Sequence, residues 1–403
     1  MASGSRYIKY AQKTETEPQS IYLDSGSAFK VVDELKRLGT RRILLICDKV
    51  VRKYKNFEDL ASFYAKEGFR LFYYYRNDHT VTDRDIEEGL RVYNEFNCDT
   101  IITAGGADDI NCGKLVAAAA INPVKHPTEF EGIDKLKHDI SVLCCIVTDN
   151  SETCSSPIAE FRDSSSGRWV TCVSSYLVPQ IAVIDTDFSI RTEPAVCEST
   201  ALQSLASAIE AYLSPTSDEY PQYKADALNS CINIFDNVEK MSNNPSDTYL
   251  RRICAVGGMY AGLAMRKTGL GEAHILMHCC ASKYSTGHAV GLNRLFPRFL
   301  RAQIATHPSK GYAALAKELH MCTLNLEDEE AAQVLADRVD RLFSRYRDIT
   351  ELPIISESDA KKIASEADKE AAVFGIPGAL TVDIMTRVLL EASEEAQNEI
   401  NRR

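Results

Sequence analysis

His274 and His278 stand four residues apart, and His288 follows fourteen residues after the first. On a helix the first two share one face. Two imidazoles suit zinc or iron, and the same spacing equally fits a stacked pair facing a polar cleft. A second chemical feature lies upstream, where Gly105 and Gly106 follow the apolar run Thr100–Ala104 (TIITA) and precede a helical segment. Glycines between a strand and a helix let backbone N–H groups approach a pyrophosphate, and the helix N-terminus favours the anion. Asp108 and Asp109 sit where that pyrophosphate would rest. A carboxylate there serves the same orphan donors, and each like charge opposes a phosphate by roughly 1 kcal/mol or more at an intermediate dielectric. A self-capped strand–turn–helix and a weakened dinucleotide site both follow. Asp48, after the apolar run Ile43–Cys47, is placed to meet an adenosine ribose or to cap the turn Lys49–Tyr54.

The elements that must position these residues fall into two halves. Ile43–Cys47, Leu71–Tyr75, Thr100–Ala104, Val142–Val147, Trp169–Val173 and Ile181–Asp185 read as strands. Between them, Asp78–Phe96 has helical spacing, with Thr82 or Asp83 available as an N-cap. Such alternation predicts a parallel sheet covered on both faces. After Pro194 the strand signal stops, and helices are predicted over Ala201–Tyr212, Tyr223–Met241, Thr248–Met265, Gly311–His320, Glu329–Tyr346, Glu357–Ala371 and Val382–Ser393. The expectation is an α/β dinucleotide-binding-type domain over 1–189 and an all-helical domain over 190–403. A cleft between them is the default small-molecule site.

Four stretches carry a resemblance. Gly105–Lys114 (GGADDINCGK) is similar to GGGSxxDxAK, Val147–Glu152 (VTDNSE) to AGTGSE, and Ala201–Tyr212 (ALQSLASAIEAY) to GMDALTHAIEAY. His274–Pro297 is similar to HxxxHxxGxxxxxxHGxxNAxLLP. These are motifs of the iron-containing (group III) alcohol dehydrogenase family, and the chain resembles it over nearly its whole length. The resemblance implies the dehydroquinate synthase-like fold and oxidation of an alcohol, or reduction of an aldehyde, with NAD or NADP. A zinc or iron ion would polarise the substrate oxygen. It places metal ligands at His274, His288 and Gln203, a proton shuttle at His278, and cofactor contacts at Asp48, Gly105, Gly106, Asp108, Ser151 and Arg168. It also suggests a homo-oligomer, a dimer or larger.

The departures fall on those functional positions. Gln203 and Ser207 stand where the family has aspartate and histidine, so the first helix brings no charge to offset a dication. Ala107, Thr148 and Asn150 replace glycines, Asp149 adds a negative charge, and the family's lysine position falls on Trp169 beside Arg168. Metal and dinucleotide binding are both expected to be weak or lost. Two readings stay open: a divergent oxidoreductase, and a non-redox descendant using the old cleft for another ligand.

Composition narrows the partners. A net charge of −11 over 403 residues gives no footprint for nucleic acid or an anionic membrane. The longest apolar runs are too short to cross a bilayer, and Met1–Tyr10 has no apolar core like that of a signal peptide. Thirteen cysteines without a C-x-x-C pair argue against a disulfide framework and for a reducing cytoplasm.

Overall fold

The computed structural model describes the backbone of residues 7–9, 19–77, 80–149, 152–284, 288–344, 353–376 and 380–402, with side chains throughout except at 7–9, 288–290 and 395–402. In chain order the first half runs β1 (Tyr7–Lys9), β2 (Ser20–Leu23), α1 (Ser27–Lys30), α2 (Val32–Arg37), β3 (Arg42–Asp48), α3 (Lys55–Lys66), β4 (Arg70–Arg76), α4 (Asp83–Glu95) and β5 (Thr100–Gly105). It continues with α5 (Ala107–Ile121), β6 (Gly132–Ile133), β7 (Val142–Val147), β8 (Ile158–Arg162), β9 (Trp169–Val173), β10 (Ile181–Ile184) and α6 (Thr186–Ser189).

Seven strands form one sheet in the order β1-β2-β10-β7-β5-β3-β4, parallel except for the β1–β2 pair. Period-two alternation gives it two apolar faces. Leu44, Ile46, Ile101 and Leu143 bury one face against α4 and α5, while Ile43, Leu45, Ile102 and Ile146 bury the other against α1–α3. Thr82 caps α4 through a capping box with Asp85.

One expectation needs correction. Trp169–Val173 is a strand, but it lies outside the main sheet. It pairs with β6 and antiparallel with β8 in a separate three-stranded sheet. Strand β8 carried no clear apolar-run signal, because Glu160 and Arg162 interrupt it.

From residue 194 onward every described element is a helix: α7 (Pro194–Leu213), α8 (Pro215–Glu219), α9 (Pro221–Asn243), α10 (Thr248–Thr268), α11 (Glu272–Tyr284), α12 (His288–Thr306), α13 (Lys310–Glu318), α14 (Asp328–Ser344), α15 (Glu357–Val373) and α16 (Val382–Arg402). The chain is thus an α/β domain followed by a helical one. Helix α7 is buried on nearly every face and forms the axis of the second core. Where α10 meets the first domain, a Cβ on Gly262 would collide with the Glu152 carbonyl and Ser155 Oγ, so only glycine permits this approach. Among the described residues no helix is long and apolar enough to cross a membrane. All thirteen cysteines are free thiols.

Candidate functional site in the interdomain cleft

The phosphate loop lies at the C-terminal end of β5, and its glycines are covered by the chain's own carboxylates. A Cβ on Gly105 would strike the Asp109 carboxylate, and one on Gly106 would strike that of Asp149. Asp109 is buried and ion-paired at 2.8 Å with Arg76, from the end of β4. Burial pushes Asp109 up to about 7 against the opposing pull of Arg76. Arg76 loses proton affinity to burial but regains more from Asp109, and stays above its ordinary value. Asp108 does not cap its own helix, contrary to the self-capped reading. Gly106 is the N-cap of α5, and Asp108 Oδ1 instead accepts the Val81 N–H at 2.9 Å.

Two consequences bear on a dinucleotide. Asp109 is ion-paired with Arg76, which also attracts Asp108. Yet the backbone approach to Gly105 and Gly106 is filled. As built, the loop does not fit a pyrophosphate. Beside it, a cavity of about 20 Å³ lined by Thr148, Asp149, Thr200, Ser204 and Arg251 has room for a water and not for a nucleotide.

The other expected cofactor residues are placed as follows. Asp48 Oδ1 accepts the N–H groups of Val50 and Val51 at 2.7 and 2.6 Å, the capping role. The Arg168 guanidinium makes a two-pronged pair with Glu131 on the surface, so its charge is committed away from the loop. Ser151 lies outside the described residues. Lys114 is fully buried and donates to the carbonyls of Ser156 (2.9 Å) and Ile158 (2.7 Å), which fixes the start of β8. Burial pushes it down to about 8.

Among the described residues, the family's metal positions on α7 offer no charged ligand. Gln203 and Ser207 lie one turn apart on buried α7. Ser207 Oγ is 3.2 Å from Glu152 Oε1 and 3.3 Å from the Gln203 carbonyl, so a short hydroxyl bridges α7 to the first domain where a ligand would be needed. Burial pushes Glu152 up to about 7, against hydrogen bonds from Ser204 and Ser207. A neutral amide and a committed hydroxyl do not fit a dication. His288 begins α12, and its side chain lies outside the described residues.

His274 and His278, by contrast, converge with a residue that sequence reasoning missed. Both are buried on α11, edge to face with ring centroids 5.3 Å apart. His278 Nε2 lies 3.2 Å from Glu160 Oε1 on β8. Thr171 Oγ1 is 3.3 Å from His278 Nδ1, and Trp169 stacks on the His278 ring at 5.8 Å. Burial lowers His278, but the Glu160 carboxylate outweighs it and leaves the imidazole above its ordinary value. Burial drives His274 down to about 4. Glu210 on α7 sets the start of α11 by accepting the Ala273 N–H at 2.8 Å. Glu160 could have been found: it is a lone carboxylate at the centre of a strand (IAEFR), a costly place for a charge without a partner.

Residues 18–186 match the model for iron-containing alcohol dehydrogenase, and residues 198–393 match the C-terminal model of the same family. The chain belongs to the iron-containing alcohol dehydrogenase family. It is 21% identical to the NAD-dependent methanol dehydrogenase of Bacillus methanolicus, over 93% of this chain and 98% of the relative. It is 25% identical to the 1,3-propanediol dehydrogenase of Klebsiella pneumoniae, over 87% and 91%. Its fold matches the crystal structure of 1,3-propanediol oxidoreductase with a TM-score of 0.83 at 22% identity, covering 92% of this chain and 97% of that one.

Proposed function

We propose that the chain is a divergent oxidoreductase for a small alcohol or aldehyde. The observation that carries this reading is the buried Glu160–His278 pair beside His274. Three closely packed, largely buried ionisable groups cost several kcal/mol relative to apolar packing, and a scaffold relieved of chemistry would not need them. His278 is the proton shuttle: Nε2 and Glu160 Oε1 share a proton, which the pair can withdraw from a hydroxyl or return to a carbonyl oxygen. Thr171 and Trp169 hold the ring in that orientation. The filled loop supports weak NAD(P) binding, and no step is derived through the nicotinamide. That same loop favours a second reading, a non-redox descendant that binds another ligand in the cleft.

One experiment separates the two. The purified chain is titrated with NAD(H) and NADP(H) by calorimetry, then assayed on methanol, 1,3-propanediol, lactaldehyde and related short substrates. The oxidoreductase reading expects weak dinucleotide binding with measurable turnover that His278→Ala abolishes. Turnover unaffected by that substitution, or no binding and no turnover, overturns it; the second outcome selects the non-redox reading. Free thiols throughout support a reducing cytoplasmic setting, and a homodimer or larger is expected on light scattering.

A further inference from the structure

Gln203 and Ser207 on α7 offer no charged ligand, but the cleft holds another donor set, which keeps His274 of the family's positions and adds Glu160 and His278. We infer that Glu160, His274 and His278 form a binding site for a zinc-class divalent cation, assembled from both domains. Each residue offers one ligand atom, and the three atoms lie within 4.8 Å of one another. Zinc bonds of ~2.0–2.2 Å in a tetrahedron place neighbouring ligand atoms ~3.3 Å apart. The Glu160 Oε1–His278 Nε2 separation of 3.2 Å already has that value. The remaining separations, at most 4.8 Å, close with shifts of no more than roughly 1.5 Å.

Charge and support agree with the geometry. Two imidazoles and one carboxylate supply the anion that Gln203 and Ser207 lack, and this two-nitrogen, one-oxygen set is one that zinc accepts. The outer partners are in place. Thr171 Oγ1 can accept from the His278 Nδ1–H, which leaves the Nε2 lone pair facing Glu160. Lys114 anchors β8 two residues before Glu160 through the Ile158 carbonyl, and Glu210 anchors α11 one residue before His274. Both arms of the site are therefore held by buried polar contacts made elsewhere. Zinc and the shared proton compete for one gap, so the metal-loaded and proton-sharing forms are alternative occupancies of the same place.

The inference stands apart from the oxidoreductase reading, since a cation can bind without turnover. Its test uses the full chain, stripped with chelator and titrated with zinc chloride, with bound metal counted after dialysis. Cobalt replaces zinc in a parallel sample, where a visible absorption band reports low coordination number. The expected result is one zinc per chain. Glu160→Gln, which keeps the side-chain shape, should weaken it by more than the ~10–100-fold that loss of an outer partner costs. Thr171→Val should weaken it by about tenfold, and Gln203→Ala should leave it unchanged. Thermal melts of the metal-free variants check that each is folded. Should Glu160→Gln misfold, His274→Ala takes its place with the same expectation. Zinc binding that survives Glu160→Gln but is lost in Gln203→Ala would return the metal to the family's positions and overturn the inference. No zinc uptake by the folded chain would overturn it as well, leaving Glu160–His278 as a proton-sharing pair.

Discussion

Asp149→Thr is the most informative single substitution in the phosphate loop. Asp149 is half-buried, and its carboxylate lies over the Gly106 backbone, where a Cβ would collide with it. A phosphate oxygen reaching the Gly106 N–H would meet that carboxylate at about van der Waals contact, near 4 Å. Two unit charges at that distance repel by about 1 kcal/mol in water and about 4 kcal/mol at an effective dielectric of 20. A half-exposed loop falls between these limits, so removal of the charge should improve dinucleotide affinity by about 1–3 kcal/mol, or roughly 5–150-fold. Asp109 is the contrasting case. Its charge is balanced by Arg76 at 2.8 Å, and removing it takes an ion-pair partner from a buried guanidinium, so Asp109→Asn should lower stability more than it helps binding. Calorimetric titration with NADH, on the unmodified chain and both variants at one ionic strength, measures the difference. Equal affinity in Asp149→Thr and the unmodified chain would refute the argument, as would micromolar or tighter binding before any substitution.

Three further outcomes are expected. Arg76→Met should destabilise the fold by about 3–5 kcal/mol in denaturant unfolding, because Asp109 is left buried without its partner, and adding Asp109→Leu should recover most of the loss. Gly262→Ala should cost about 1–3 kcal/mol by the same measurement, since the new methyl meets the Glu152 backbone carbonyl as well as Ser155 Oγ, and the carbonyl cannot swing away. Glu210, pushed by burial up to about 8, and Asp109, pushed up to about 7, bind protons more tightly folded than unfolded. Their stabilisation is fully present below the unfolded carboxylate range and is lost as pH rises from there through those values, so the melting temperature should fall progressively between about pH 4 and 8. Glu210→Gln keeps the oxygen that accepts from Ala273 and should flatten the upper part of that fall; an unchanged profile would count against Glu210.

Much of the architecture was legible because strand and helix periods are local. The runs at Ile43, Thr100 and Val142 are continuous and apolar, and each became a central strand. Trp169–Val173 was legible as a strand, but its sheet depended on β8, whose pattern Glu160 disguises. The same residue explains what was missed in the site. Resemblance directed attention to aligned ligand positions on α7, whereas the carboxylate facing His278 comes from the other domain. Likewise, Arg76 sits at the end of β4, 33 residues from Asp109, and nothing in the local sequence announces their pairing. Asp109 read as a repelling charge until its counter-ion was seen.

The carboxylates over Gly105 and Gly106 also act as a ligand that never leaves. Tethered groups of this kind present themselves at an effective concentration of order millimolar or above. An external anion must displace them before it reaches the backbone of Gly105 and Gly106. Ordinary ligand linkage stabilises a protein by the logarithm of how far ligand exceeds its dissociation constant, but here the occupant is part of the chain and its supply is constant. The cover over Gly105 and Gly106 is thereby set by the chain itself, at a level that no external concentration changes.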